Sequence, residues 1–216
     1  MSTAGEMIDD LRDRLNDIAD TQVPFPTKLR FLNRGQAAMY PRIYRIVRDS
    51  SLALVAGTYE YVLPAGVGTG KVLTVETETD VTTDRYTHLN RYDLIPGVAT
   101  PTLVLLDAQL PSPAGSCLRI TSADRMTPFV AATYAASQSV VYTGPAGTEE
   151  LPILYAMGLA TARVLDDRMD YTRYSATQVN GTVDPNDIMQ VSQFWFAQFE
   201  LLLDRLQMPF PVTPAG

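Results

Sequence analysis

The stretch Thr27–Arg48, TKLRFLNRGQAAMYPRIYRIVR, decides how the chain is read. Leu29, Leu32, Met39, Tyr40, Ile43 and Val47 fall on one side when residues are spaced at about 100°. That spacing predicts a helix running from Thr27 toward Arg48. On it, Arg30, Arg34, Arg45 and Arg48 lie within about 60° of one another on the opposite side. Pro41 has no amide hydrogen to donate, so it should kink or break the helix there. The arginine face has three readings: a solvated side, a contact with an acidic partner, or a contact with DNA phosphate. No aromatic or Asn/Gln reading set accompanies the arginines, which weakens the third. An acidic helix of the same chain, or of a neighbouring copy, could also answer them.

The charge pattern outside this stretch is segregated. Residues 21–48 carry six bases and no acid, whereas residues 1–20 carry a net charge of −4. Residues 49–147 add −4 and residues 148–216 add −5, so the whole chain stands at −7. One basic block in an acidic protein points to a localised contact surface and not to general nucleic-acid affinity.

Toward the N-terminus, Thr3 and Glu6 form a capping box, and Ile8, Leu11, Leu15 and Ile18 follow at helical spacing. Thr21–Pro26, TQVPFP, ends that helix. Toward the C-terminus the period changes at Leu52. LALVAGTYEYVLP, KVLTVETET, TLVLLD and SCLRITS read as short strands between Gly- and Pro-rich turns. Residues 126–147 allow either another strand, at Ser137–Tyr142, or an ordered arm. Helical periodicity returns at Glu149, with Leu154, Met157, Thr161, Val164 and Leu165 on one face. The small residues Ala156, Gly158, Ala160 and Ala162 would let a neighbouring backbone approach closely.

Asp184 and Pro185 then open a last helix, with Ile188, Val191, Trp195, Phe199, Leu202 and Leu206 on one stripe. Phe194 and Leu201 flank that stripe on one side, and Phe196 and Leu203 on the other. Such a surplus of apolar surface is buried either in a fully enclosed central helix or against a second subunit. Met208–Gly216, MPFPVTPAG, cannot continue the helix. Its Met208, Pro209, Phe210 and Pro211 suit an extended tail that lies across another surface.

The expected fold is therefore α+β: a four-helix bundle with an inserted small antiparallel β domain and an extended C-terminal tail. Two helices of the bundle are N-terminal and two C-terminal. The bundle takes residues 1–50 and 148–207, the β domain 51–147 and the tail 208–216.

Composition narrows the chemistry. Of 216 residues, 46% are hydrophobic and 19% charged, and the mean hydropathy is −0.02, as in a folded chain. The apolar run Leu151–Leu165 contains Arg163 and is shorter than the ~20 residues that span a bilayer. Ile8–Asp20 is studded with carboxylates, unlike a secretion signal. Cys117 and His88 are each the sole residue of their type, which excludes an internal disulfide and the usual zinc sites within one chain.

Ala65–Val72, AGVGTGKV, imitates a phosphate-binding loop around Lys71. However, Ala65 stands for the first glycine, Val72 for the Ser/Thr, and a strand follows instead of a helix. His88 has Asp84 and Asp93 nearby, but no nucleophile elbow accompanies them. Asp184, Asn186 and Asp187 lack the glycine and glutamate of a calcium loop. Cys117 reads as a small buried hydrophobe, and Glu149–Glu150 and Asp166–Asp167 as solvent-facing acids. No catalytic residue, cofactor or metal is expected; the alternative is a nucleotide-binding enzyme built on Ala65–Lys71.

The order of these features resembles the head-to-tail adaptor, or connector, proteins of tailed bacteriophages. The resemblance rests on EMIDDLRDRLND, a Pro-containing break, and TKLRFLNRGQAAMYPRIYRIV with Leu32-Asn33 and Ala37-Ala38. TYEYVLPAGVGTGKVLTVET, the closing helices and the extended tail continue it. It implies a structural protein of the virion neck, assembled in the host cytoplasm. Its copies would form a ring, commonly of twelve, between the portal and the next neck or tail protein. DNA would pass through that ring without sequence-specific binding, and no membrane is involved. On this view Arg30, Arg34, Arg45, Arg48, the flanks of the last helix and the PFP tail are subunit or portal contacts. A stopper or tail-completion protein of the same neck is the nearest alternative.

Overall fold

The structure is a computed structural model that describes residues 2–17, 19–65, 67, 71–80, 82, 85–97, 100–106, 116–175 and 185–208, the side chains of 164–175 and 185–188 excepted. The described chain falls into two compact units. One holds residues up to Tyr44 together with the chain from Arg125 onward, and the other holds Arg45–Asp124.

In the first unit α1, Ala4–Leu15, starts on the expected capping box. The Thr3 amide donates to Glu6 Oε2 at 2.8 Å, and the Glu6 amide donates to Thr3 Oγ1 at 3.2 Å. The helix ends at Asn16, whose φ of 50° is the left-handed conformation that asparagine tolerates. Helix α2, Phe25–Met39, begins on Pro24 and Pro26 and buries Leu29, Phe31, Leu32 and Met39.

Two further helices close this unit, α4 (Glu150–Ser175) and α5 (Pro185–Leu206), with the single turn α3 (Tyr134–Ser137) before them. Helix α4 packs on α2 and on α5, and its first ten residues are largely buried all round. Gly35 of α2 meets α4 at backbone distance: a Cβ there would stand 2.8 Å from the Pro152 Cα and carbonyl oxygen. Gly158 of α4 faces the Phe196 ring in the same way, at 2.8 Å, and its carbonyl accepts from Ser192 Oγ at 2.9 Å. The small-residue reading of α4 holds at that position.

The second unit holds two antiparallel sheets. One has four strands in the order β1-β7-β3-β4: Arg45–Ala53, Cys117–Asp124, Val72–Asp80 and Arg85–His88. The other has three in the order β2-β6-β5: Glu60–Val62, Thr102–Leu105 and Tyr92–Ile95. Leu63, Val75, Leu103, Leu118 and Ile120 form its core.

These elements correct the expected fold. Among the described residues there are five helices and two sheets, not a four-helix bundle carrying one small β insertion. The chief difference lies in Thr27–Arg48. Tyr40 is extended, at φ −75° and ψ 136°, because the ring of Pro41 disfavours helical geometry in the residue before it. Helix α2 therefore stops at Met39, and RIVRDSSLA becomes strand β1 of the larger sheet. Residues 138–142 resolve as an arm: Val140 accepts from Ala4 and Tyr142 donates to Ser2 through the backbone, with one bridge between Thr3 and Val141.

Candidate functional site

The four arginines do not form one stripe. Arg30 and Arg34 are one turn apart on α2, both exposed, and neither makes an ion pair among the described residues. Arg45 and Arg48 belong instead to β1. Arg45 stands opposite Asp124 of β7 and pairs with it at 3.3 Å, while Lys71 reaches the same carboxylate at 3.4 Å. Arg48 is exposed and its charge acts on Glu76 of β3. The helical phase that aligned all four was lost at Pro41.

Two other cations of the basic block are engaged within the first unit. Arg42 bridges Glu200 at 2.8 Å and Asp204 at 2.9 Å on α5, and its carbonyl accepts from the Met208 amide. Lys28 has no exposed side-chain surface. Its ammonium donates to the Asp17 carbonyl and carboxylate, both at 3.0 Å, and to Asp20 at 2.7 Å. The Asp17 carboxylate also accepts from the amides of Thr21, Gln22 and Val23 at 2.8–3.1 Å, so it organises the whole turn between α1 and α2. Arg12 closes the network with a two-pronged bond to Asp20 at 2.9 and 2.6 Å and lies 4.0 Å from the Tyr134 ring centroid.

Burial disfavours the charged Asp17, yet the Val23 and Gln22 amides and Lys28 outweigh it and hold this carboxyl well below its usual range. Arg12, then Lys28, lower that of Asp20. The sequence reading counted Lys28 and Arg42 as surface charge. Their signal was the acids at Asp17, Asp20, Glu200 and Asp204, which pair with them only once the turn and α5 are folded.

The flanks of α5 separate into two kinds. Leu203 is buried, 2% exposed, within the core of its own unit. Phe196 is half-buried against Gly158 and packs edge-on to Tyr155 at 5.2 Å. Both make contacts within their own chain. Phe194 and Leu201 remain 52% and 48% exposed. They line an open groove of about 360 Å³ between α1, α4 and α5, walled by Leu154, Trp195 and Leu202 and edged by Arg14 and Glu150. Met208 is half-buried against the core, and Pro209, Phe210 and Pro211 lie outside the described residues.

The features that imitate chemistry take structural roles. Val72 after Lys71 opens strand β3, so no helix start faces that loop; Gly66 and residues 68–70 lie outside the described residues. His88 is 62% exposed at the edge strand β4, with Nε2 at 3.4 Å from Glu76, while Asp84 is outside the described residues. Cys117 is half-buried and donates to Glu78 Oε2 at 3.1 Å, which corrects its reading as a plain hydrophobe. Glu150 is held by Arg14 at 2.5 Å instead of facing solvent alone. Asp166, Asp167, Asp184, Asn186 and Asp187 have no described side chains. Among the described residues no group of three or more His, Cys, Asp or Glu could hold a metal, and no helix is long and apolar enough to cross a membrane.

Among the described residues, then, most of the basic block is paired inside the fold, Arg30 and Arg34 make no ion pair, and the apolar groove beside α5 is open. The chain belongs to the SU10 adaptor protein family, which matches residues 2–209. This bears out the resemblance to head–tail adaptors of phage-like particles. Among curated proteins none matches. Among solved structures, a chain in the neck of an empty gene transfer agent particle computed with C6 symmetry is 21% identical. It covers 90% of this chain and 92% of its own length, at a TM-score of 0.32. A chain in the virion of the native gene transfer agent particle is 20% identical with the same coverage and a TM-score of 0.33. A third, in the neck of the native particle computed with C12 symmetry, is 21% identical, covers 90% and 91%, and scores 0.31. Superpositions this loose carry no argument, and the assignment rests on the family.

Proposed function

We propose that the chain is a structural protein of the neck of a phage-like particle, where its copies form a ring beneath the portal, extend the DNA channel and dock the next neck or tail protein. The observation that carries this reading is the family match, which runs over nearly the whole chain. The surfaces are compatible with it. Arg30 and Arg34 are left for carboxylates of an adjacent copy or of the portal, and Arg48 stands exposed on β1. The tail from Met208, with Phe210 as its aromatic plug, lies against a partner in this reading. A net charge of −7 suits a channel that DNA traverses without being gripped.

The test is genetic and structural. Deleting the gene from a particle-producing strain should leave DNA-filled heads without attached tails, restored by the gene in trans. Tailed particles formed at normal yield without the protein would refute the reading.

A further inference from the structure

We propose that in the free chain the segment after Met208 docks on the outer edge of β1 as a further, parallel strand of the larger sheet. The proposal deepens the adaptor reading: it names where the tail rests before a partner takes it.

The end of the described chain leads to that edge. Helix α5 stops at Leu206, and the Met208 amide donates to the Arg42 carbonyl at 2.8 Å, three residues before β1 begins at Arg45. From that bond an extended segment has two directions. Toward Met39 it meets helix α2, whose last turn is already bonded, the Ile43 amide taking the Met39 carbonyl. Toward Arg45 it meets an end strand. The order β1-β7-β3-β4 leaves Ile46–Asp49 with one partner strand, β7, among the described residues. The outer edge of such a strand is a row of donors and acceptors ready to pair.

The sequence of the segment fits that edge in phase. Successive residues of a strand turn their amides to opposite sides. In the phase of Met208, Phe210 and Val212 face β1. Pro209 and Pro211, which have no amide hydrogen, fall on the other side, where an edge strand needs none. Counted residue for residue from Arg42, Val212 donates to the Ile46 carbonyl and accepts from the Arg48 amide. Pro214 is the first residue in the β1-facing phase that cannot donate. It arrives beside Asp49, beyond which the register of β1 with β7 shifts. Both strands therefore stop pairing at the same place.

The side chains follow the same alternation. Phe210 and Val212 share a face with Val47 and Asp49, which stand opposite Ser122 and the core residue Ile120 of β7. Pro211 and Thr213 fall with the exposed Ile46 and Arg48. The two large apolar side chains thus go to the buried side of the sheet. A tail held this way keeps Phe210 on its own chain, so the partner contact of the adaptor reading begins with release of this strand.

Amide hydrogen exchange of the full chain, read residue by residue by NMR, tests this. The comparison chains are one lacking residues 209–216, Val212→Pro and Thr213→Pro. The Phe210 and Val212 amides should exchange at least about tenfold more slowly than those of Thr213, Ala215 and Gly216. Loss of the segment should speed Ile46 and Arg48 by a similar factor while the amides between β7 and β3 keep their rates. Val212→Pro removes an amide that β1 uses and should act like the deletion. Thr213→Pro, one residue on, changes an amide on the solvent side and should leave Ile46 and Arg48 protected. Random-coil exchange at Phe210 and Val212 overturns the proposal. So does protection there with no response of Ile46 and Arg48 to the deletion, which puts the tail on another surface. Protection that rises with protein concentration puts it on another molecule and overturns the proposal too. None of these results decides the adaptor reading, which stands or falls by the tail-attachment phenotype.

Discussion

Lys28 is the residue whose role the charge count concealed. A lysine loses several kcal/mol of hydration on full burial, and two carboxylates and a carbonyl restore it only while all are in place. Removing it by Lys28→Ala strands Asp17 in the interior and should cost about 3–5 kcal/mol, read from urea unfolding followed at the sole tryptophan, Trp195. Acid should act through the same group. The folded Asp17 and Asp20 carboxyls sit below their ordinary 3.8, so their stabilisation is complete above that pH and is lost as pH falls through it toward the folded values. Asp17→Asn should therefore unfold more readily at neutral pH and show a shallower loss of stability below pH 4 than the wild type; equal slopes would contradict the assignment. None of this was legible beforehand. Composition reports that a residue is charged but not which side of the fold it faces, and the partners of Lys28 lie across a double-proline turn whose path only the folded backbone defines.

At the level of elements, the capping box of α1 and the apolar phases of α1 and of α2 up to Met39 were legible, because cap and period are local properties; that of α5 was legible only in part, since Val191 is 47% exposed while Leu203, expected on a flank, is buried. The helical phase predicted across Arg30–Arg48 fails at Pro41, beyond which RIVRDSSLA is strand β1 of the four-stranded sheet. Close packing was half legible: Gly158 stood out among small neighbours, whereas Gly35, alone among larger residues, did not. Yet Gly35 meets backbone of α4, which cannot rotate away as the Phe196 ring can. Gly35→Ala should thus destabilise the helical unit by about 1–3 kcal/mol despite the higher helix propensity of alanine. Thermal unfolding at Trp195 would show it, and a stabilised variant would mean that α2 and α4 are less closely apposed than described.

For the molecule as a whole, the reading that stands is the one that needed least detail: an adaptor protein of phage-like particles. Folding uses up much of the apparent surface. Arg42 is tied to α5, Arg45 to Asp124 and Leu203 to the core, whereas Arg30, Arg34, Arg48, Phe194 and Leu201 stay exposed among the described residues. Sequence alone could not make that subtraction, since it depends on which pairs the fold closes internally. The most direct test of the adaptor account is the mass, by light scattering, of the full chain mixed with the portal protein of the same genome, beside the variant Arg30→Glu/Arg34→Glu. The account predicts a ring-sized complex with the wild-type chain, and its loss in the variant while circular dichroism stays unchanged. A wild-type chain that remains a monomer in the presence of portal would contradict it.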